Sequence, residues 1–352
     1  MTTKELAEII GVSRVTLSKV INGAGGVSPK MEEKIRKYIE MYNFEPNSQA
    51  RSLVGKEEQI IGFFSTYSEE NAGAGEISSH FATEMIHLVV DKAQKSDYKT
   101  LVSLTNSAKD IKTIERFFSA RLVRGAILLG YETGSESIKR LAGRGYPLVL
   151  VNQEMDTKYD NVSVVNMDDQ NWAFAAIEKL VEFGHRDIIY LGCKRPRLPA
   201  MRRQDGVQEA LRRYGDRIHS LTVLDGDFSE EKAYSQIYSI YSRQGTPKAT
   251  GIFAANDIMA IGAMRALKSL NYRIPEDISV IGFDDISISR YLTPGLTTMR
   301  CDFAKIASTC VDTLIQLIEG KGKGQHIELP VEFVMRGTLG TCENMLLGRL
   351  SE

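Results

Sequence analysis

From Ile60 onward, short apolar runs alternate with longer amphipathic stretches, and this alternation restricts the possible folds more than any other feature of the chain. The apolar runs predict strands over 60–65, 100–104, 125–129, 147–151, 161–165, 187–192, 220–224, 250–255 and 278–283. Helical periodicity predicts helices between most of them, for example over 172–183, 202–213, 229–243 and 257–270. Alternating β and α elements favour parallel sheets that are covered on both faces. The strands form two series, the second starting at residue 161, so we expect two similar lobes with a ligand site between them, beyond the carboxyl ends of the strands.

The first 45 residues have a different pattern, which predicts three short helices. A capping box starts the first helix, and its predicted apolar face holds Leu6, Ile9 and Ile10. The second helix is predicted over 13–22, and a serine–proline pair at 28–29 starts a third that runs to about residue 42.

The second helix carries the chemistry of a nucleic-acid reader. Its exposed side chains are Arg14, Thr16, Ser18 and Lys19, which are types that contact bases or phosphates. In a helix-turn-helix unit the second helix lies in the major groove of DNA. Residues 1–56 contain nine Lys or Arg and six Glu, a net charge of +3, whereas the whole chain has a net charge of -1. A purely structural three-helix subdomain with a solvated polar face is the alternative interpretation.

A segment over 47–54 is too short to be a stable helix by itself, so it would need DNA or a second copy to fold against. Leu53, exposed on such a helix, suits an apolar wedge in the minor groove.

The stretch "KELAEIIGVSRVTLSKVINGAGGVSPKMEEKIRKYIEMYNFEPNSQARSL" resembles the DNA-binding headpiece and hinge helix of the lactose-repressor (LacI) family, unbroken from Lys4 to Leu53. The resemblance implies a homodimer that binds double-stranded operator DNA, with Arg14 and Val15 as the main base-reading pair and Leu53 as the wedge. The implied DNA-binding residues are Ser13, Arg14, Val15, Thr16, Ser18, Lys19, Asn22, Asn47, Ala50, Arg51 and Leu53. Val54 departs from the pattern, because some members have lysine there.

The remainder of the chain carries the same resemblance. The segments "GHRDIIYLG", "AANDIMAIGAMRAL", "IPEDISVIGFDD" and "LTPGLTTMR" resemble the regulatory core of the family, which is similar to periplasmic sugar-binding proteins. The implied effector-binding residues are Phe81, Tyr131, Asn152, Arg197, Arg203, Phe228, Asn256 and Asp284. Arginine, carboxamides, a carboxylate and an aromatic face suit a sugar, and the same groups suit a purine or nucleoside.

These observations predict an α/β protein with a helix-turn-helix headpiece and a two-lobed core of parallel sheets. The expected parts are a headpiece over 1–45, a hinge helix and linker over 46–58, an effector-binding and dimerisation core over 59–340, and a short tail over 341–352. Lobe one is expected over about 59–152 and 288–320, and lobe two over about 160–285 and 325–340. The resemblance implies three segments that cross between the lobes, near 152–160, 286–296 and 321–326.

Several classes of protein are disfavoured. No apolar run approaches the ~18 residues of a membrane span, and the N-terminus lacks the pattern of a secretory signal. The four cysteines lie far apart, as expected of reduced thiols in the cytoplasm. We find no nucleophile elbow, no phosphate-binding loop and no metal-ligand spacing, so we expect neither an enzyme nor a cofactor.

We therefore expect a cytoplasmic repressor controlled by a small molecule, most simply a sugar. A purine-responsive regulator and, less favoured because of the headpiece, a sugar-binding transport protein are the alternatives.

Overall fold

The structure is a computed structural model, and it describes residues 1–21, 24–42, 44, 58–66, 80–105, 111–131, 134–156, 158–195, 197–243 and 249–342. The chain forms two compact units, Met1–Gln59 and Ile60–Glu352, which are described one at a time below.

The described part of the first unit forms three helices, α1 (Thr3–Ile10), α2 (Arg14–Ile21) and α3 (Pro29–Met41). The predicted capping box starts α1: the Thr2 hydroxyl accepts from the Glu5 backbone N–H at 3.2 Å, and the Glu5 carboxylate accepts from Thr2 N–H at 2.8 Å. Gly11 ends α1 in the left-handed conformation at φ 78°, which glycine adopts without steric cost. Local chemistry thus sets the start and the end of the first helix.

The core of this unit consists of Leu6, Ala7, Ile10, Leu17, Val20, Ile35 and Phe44. Ile9, which the sequence placed on the buried face, is 46% exposed, and Ala7 is buried instead. At ~100° per residue, positions 7 and 9 flank the line through Leu6 and Ile10 at equal angles, so helical periodicity does not distinguish them. The packing of the other helices selects Ala7.

The described residues of the second unit form two six-stranded sheets. Its elements in chain order are β1 (Ile60–Thr66), α4 (His80–Lys95), β2 (Lys99–Thr105), α5 (Ile111–Ser119), β3 (Gly125–Leu129), α6 (Glu136–Gly143), β4 (Leu148–Val151), β5 (Val162–Met167), α7 (Asp169–Glu182), β6 (Asp187–Gly192), α8 (Leu198–Tyr214), β7 (Ser220–Asp225), α9 (Glu230–Tyr241), β8 (Gly251–Ala254), α10 (Asp257–Ser269), β9 (Ser279–Asp284), a 3-10 helix (Ser287–Arg290), β10 (Thr297–Cys301), α11 (Phe303–Ile318), β11 (His326–Leu329) and β12 (Val331–Val334).

The first sheet has the strand order β11-β5-β4-β3-β1-β2, and all its pairings are parallel. The second has the order β12-β10-β9-β8-β6-β7, and only β12 is antiparallel to its neighbour. Most central strands are buried along their whole length, as expected for parallel sheets covered on both faces.

Strand β5 belongs to the first sheet, although the sequence pattern groups it with the second series. It pairs with β4, placing Val165 opposite Val151. The order of the strands in the two sheets shows where the chain crosses between the lobes. It passes from the first sheet to the second after Met167 and returns after Cys301, so that α11 packs against α4 and β3 of the first lobe. It crosses to the second sheet again at Pro330. These crossings differ from the expected segments near 152–160, 286–296 and 321–326.

Strands β10, β11 and β12 were not predicted from the sequence. The polar side chains of β10 hide its burial: Thr297 and Thr298 are fully buried, and Thr298 donates a hydrogen bond to Asp257 at 2.6 Å. Strands β11 and β12 are four-residue edge strands, which carry little periodic signal.

Helices α7 and α8 pack closely where Gly206 meets the backbone of α7. A Cβ atom at Gly206 would lie 2.1 Å from the Gln170 carbonyl oxygen and 2.9 Å from the Phe174 nitrogen. We expect Gly206→Ala to lower the free energy of unfolding by ~1–3 kcal/mol, because backbone must move to admit the methyl group. Thermal or urea unfolding of the full chain measures this effect.

The matched control is Gly143→Ala at the end of α6, where a Cβ atom would meet no atom within 4 Å. This variant should be neutral or stabilised by about 0.5–1 kcal/mol. Unfolding of Gly206→Ala at the wild-type midpoint would contradict the close packing of the two helices.

Candidate functional site

Helix α2 buries one face and presents the opposite one. Leu17 and Val20 pack into the core of the first unit, whereas Arg14, Val15 and Lys19 are exposed. Val15 is 66% exposed and follows Arg14 directly in the helix. A basic side chain beside an exposed apolar one suits the major groove, where arginine reads guanine and apolar groups contact the thymine methyl.

The hydroxyl groups of α2 have structural partners of their own. The Ser13 hydroxyl accepts from Thr16 N–H at 3.0 Å and lies 2.8 Å from the Thr16 hydroxyl, which caps the helix. Thr16 and Ser18 are half-buried. The other predicted DNA-binding residues, Asn22, Asn47, Ala50, Arg51 and Leu53, lie outside the residues that the structure describes.

In the second unit, Arg203 of α8 is the centre of a buried polar cluster. Its Nε donates to Asp169 at 2.8 Å, Nη2 donates to Asp284 at 3.2 Å, and Nη1 donates to the Ala255 carbonyl. The guanidinium carbon lies 3.7 Å from the centre of the Phe283 ring. The cluster thereby joins the start of α7, helix α8 and the carboxyl ends of β8 and β9.

Burial and charge oppose each other in this cluster. Burial by itself would lower the pKa of Arg203, but the charges of Asp169 and Asp284 raise it above its ordinary value. Burial raises the pKa of Asp284 to about 6, although the charge of Arg203 acts in the opposite direction. Arg203 therefore stays charged, while Asp284 ionises close to neutral pH.

Asp257 forms a second buried carboxylate at the start of α10. It accepts hydrogen bonds from Ser289 Oγ and Thr298 Oγ1, both at 2.6 Å, and from Ile286 N–H at 3.0 Å. Burial raises its pKa to about 7, and the charge of Asp284 acts in the same direction. Asp257 thus ties α10 to β10 and to the segment that follows β9.

Three further predicted effector residues lie on loops or helix starts of the second sheet. Asn256 caps α10 by accepting from Met259 N–H at 2.9 Å. Phe228 is half-buried at φ 55°. Asp227, which precedes it, binds Arg195 at 2.5 and 2.8 Å and so holds this turn. Arg197 is the half-buried residue just before α8.

The predicted residues of the first lobe have differing surroundings. Tyr131 is buried in an apolar cluster, and its carbonyl accepts from the Gln153 side chain. Phe81, in α4, packs edge-on against Phe303 at 4.9 Å between ring centres. Asn152 follows β4 at φ 57°, and its buried side-chain oxygen has no hydrogen-bond partner among the described residues.

Sequence reasoning missed Asp169 and Asp257, the two carboxylates that complete the buried clusters. The available signal was an acidic residue directly before or at the start of a helix that follows a buried strand, as in "MDDQ" and "AAND". That pattern is common for helix capping, so it does not single out a functional residue.

Two family models match the chain. Residues 2–47 match the bacterial regulatory proteins of the lacI family, and residues 177–339 match the periplasmic binding protein-like domain. The HTH-type transcriptional repressor PurR of Pasteurella multocida (strain Pm70) is 30% identical over 340 residues, covering 95% of this chain and 97% of the relative. The probable HTH-type transcriptional repressor ExuR of Bacillus subtilis (strain 168) is 29% identical over 343 residues, covering 96% of this chain and 98% of the relative.

The fold is similar to a solved structure, the Lac repressor dimer bound to operator and the anti-inducer ONPF. The TM-score is 0.82 at 28% identity, covering 97% of this chain and 99% of that one. Within the described part of the chain, every helix is too short or too polar to cross a membrane.

The raised pKa of Asp284 predicts how its contribution to stability changes with pH. In the unfolded chain the carboxyl ionises near its ordinary pKa of about 3.9, whereas in the folded state burial raises its pKa to about 6. The folded state therefore binds the proton more tightly, so the stability that Asp284 contributes is present below about pH 4 and is lost as the pH rises through 6.

The measurement is the melting temperature of the wild type minus that of Asp284→Asn, between pH 4 and 7. We expect this difference to fall as the pH rises, because asparagine does not ionise. A difference that grew with pH would show that the attraction of Arg203 outweighs burial.

Proposed function

The chain belongs to the lacI family of bacterial regulatory proteins and is a DNA-binding transcriptional repressor rather than an enzyme, and we propose that its effector is a sugar or sugar derivative bound beside Arg203. The expected cytoplasmic location agrees with this family membership, since a repressor acts where the DNA lies.

The Arg203–Asp284 arrangement carries the proposal for a sugar. An arginine has five N–H donors. In Arg203 three of them bind Asp169, Asp284 and the Ala255 carbonyl, and the other two, which have no hydrogen-bond partner among the described residues, are the donors we propose for a ligand. The Asp284 carboxylate supplies acceptors beside these donors. Adjacent hydroxyl groups, each both donor and acceptor, match such a pair.

A purine effector is the alternative, and it would be favoured by two aromatic faces that enclose a flat ring. Phe228 is one candidate face. Phe81 instead packs edge-on against Phe303, and Tyr131 is buried in an apolar cluster. The described aromatic side chains therefore support a site with one stacking face, which suits a sugar ring.

We propose that the protein binds operator DNA as a homodimer, as the similar Lac repressor does in its solved structure. Each copy of α2 would then contact one half-site in the major groove, with the exposed Arg14 and Val15 against base edges. Lys19, the exposed Ser13 and the half-buried Thr16 and Ser18 would lie nearer the phosphates.

Effector binding is proposed to change the angle between the two lobes of the second unit. Polar contacts join elements of the two sheets: Ser287 N–H donates to Glu84 of α4 at 3.0 Å, and Arg202 lies 3.7 Å from Glu154 and 3.4 Å from Glu328. Exposed ion pairs contribute little stability, so a ligand with different affinity for the two arrangements can shift the equilibrium.

The effector class is tested by thermal unfolding of the full chain with D-glucose, D-galactose, D-ribose, D-galacturonate, guanine and hypoxanthine. We expect one or more of the sugars to raise the melting temperature and to change operator affinity, because a ligand that binds only the folded state stabilises it. Stabilisation by a purine and by none of the sugars would reassign the effector class.

The binding position is tested with Asp284→Ala, which should abolish the sugar-induced shift. The matched control is Asp216→Ala, an exposed carboxylate after α8, which should leave the shift unchanged. An unchanged shift in Asp284→Ala would place the site elsewhere.

The role of Arg14 is tested by Arg14→Ala with a set of single-base operator variants. If its guanidinium reads a base edge, the substitution should cost ~1–3 kcal/mol of binding free energy and remove the preference at one position. The matched control is Arg36→Ala in α3, whose exposed side chain forms an ion pair with Glu32 at 2.7 Å. The control should change affinity equally for all operator sequences. The same uniform loss in Arg14→Ala would show that Arg14 contacts a phosphate rather than a base.

A further inference from the structure

Three buried side-chain polar atoms have no hydrogen-bond partner among the described residues: Thr100 Oγ1, Asn152 Oδ1 and the Tyr190 hydroxyl. Buried polar groups are nearly always hydrogen-bonded, and an unmet one costs about 1–3 kcal/mol. Asn152 follows the carboxyl end of β4 in the first sheet, and Tyr190 lies near the carboxyl end of β6 in the second. Two of the three atoms therefore lie at the sheet edges where ligands bind in this class of fold.

Tyr190 is held firmly in its position. It is 1% exposed, and its ring stacks on Phe253 of β8, its register partner, with 5.5 Å between ring centres. Both residues belong to the interior of the second sheet, so an ordinary apolar side chain would meet the packing requirement of this position. The hydroxyl group is the part of Tyr190 that the packing does not explain.

Gly192 shows the direction in which the Tyr190 ring extends. A Cβ atom at Gly192 would lie 2.7 Å from Cε1 and 3.3 Å from the hydroxyl oxygen of Tyr190. The ring therefore lies along β6 toward its carboxyl end, beside Gly192, the last residue of the strand. Only glycine at position 192 leaves space for the phenol at this edge.

Three groups at this edge, Asp169, the Ala255 carbonyl and Cys193, have partners of their own. Asp169 and the Ala255 carbonyl accept from Arg203. Cys193 Sγ accepts from Arg195 N–H at 3.4 Å and donates to Asp227 at 3.6 Å. Burial raises the pKa of Tyr190 above its ordinary value, with the nearby charge of Arg203 acting in the opposite direction, so the phenol keeps its proton and is a hydrogen-bond donor.

Asn152, on the first sheet, offers a hydrogen-bond acceptor, whereas Tyr190 offers a donor. Its backbone N–H donates to Val165 at 3.1 Å, and its φ of 57° is a left-handed conformation that asparagine tolerates better than most residues. The backbone is thus fixed, and the side-chain oxygen is an acceptor that no described donor meets.

We propose that Tyr190 is an effector-binding residue, whose hydroxyl donates a hydrogen bond to an oxygen of the ligand. Asn152, on the other lobe, accepts a hydrogen bond from a hydroxyl group of the same ligand. This inference rests on the proposed function, since it places both groups in the same effector site. It specifies the ligand further: an acceptor oxygen faces the second sheet and a donor faces the first. Two hydroxyl groups on one sugar ring meet both requirements.

The test compares Tyr190→Phe with the matched control Tyr241→Phe. Tyr241 is equally buried in α9, but its hydroxyl donates to the Ala249 carbonyl at 2.7 Å. Without any ligand, Tyr190→Phe should melt at or above the wild-type temperature, because it removes an unmet polar group, and Tyr241→Phe should melt below it. Melting of Tyr190→Phe as far below the wild type as Tyr241→Phe would show that the hydroxyl has a partner inside the protein, and would overturn the inference.

The second measurement is calorimetric titration of the wild type and both variants with D-glucose, D-galactose, D-ribose, D-galacturonate and hypoxanthine. For each compound that the wild type binds, we expect Tyr190→Phe to weaken affinity about three- to tenfold, the effect of one neutral hydrogen bond, and Tyr241→Phe to leave it unchanged. Equal affinity in the wild type and Tyr190→Phe would overturn the inference and leave the proposed function intact.

Binding of hypoxanthine but of no sugar would contradict the proposed effector class. A loss of hypoxanthine affinity in Tyr190→Phe would even then support Tyr190 as a ligand contact. A wild type that binds none of the five compounds would overturn both.

Discussion

The buried ion pairs of Arg203 with Asp169 and Asp284 are the interaction on which the second lobe depends. Taking one cation and two anions out of water is costly, and removing one partner of such a group typically costs about 3–5 kcal/mol because the remaining charge stays buried. Arg203 also binds the Ala255 carbonyl and lies over the Phe283 ring. One side chain therefore fixes the relative positions of α7, α8, β8 and β9, and any group that binds at their edge meets a framework that is already in place.

The same burial of polar groups lowers the stability of the protein when no ligand is bound. Asp284 and Asp257 both have a raised pKa because burial disfavours their charged forms, and Asn152 and Tyr190 each hold a polar atom without a described partner. A folded core assembled only for stability would avoid such groups. Polar groups that are fixed in advance bind a ligand with little loss of conformational entropy, so the cost in the free protein is consistent with selective binding.

The first unit also has a side chain in place for binding that does not contribute to its own stability. Among the described residues, seven buried apolar side chains form its core, and caps at Thr2, Gly11 and Ser13 satisfy backbone groups at the ends of α1 and the start of α2. Val15 is left exposed beside Arg14 on the outer face of α2. An exposed apolar residue gains nothing for the free unit, whereas in a DNA groove its burial against a base contributes to binding.

Sequence by itself determined the elements with a local cause: the capping box and Gly11 of α1, the limits of most strands, and the exposure of Arg14 and Lys19 on α2. It also determined the family, because the match to the family is long and specific. It also indicated Arg203 and Asp284 through the resemblance. Tertiary structure decided that Ala7 rather than Ile9 is buried, that β5 completes the first sheet, that Thr298 belongs to a buried strand, and that Asp169 and Asp257 complete the charged clusters. Only tertiary structure brought the Tyr190 hydroxyl to the carboxyl edge of the sheet, where no described residue binds it. The reason is physical: caps and periodicity act between residues a few positions apart, whereas strand pairing, helix contacts and burial of charge depend on residues that only the folded chain brings together.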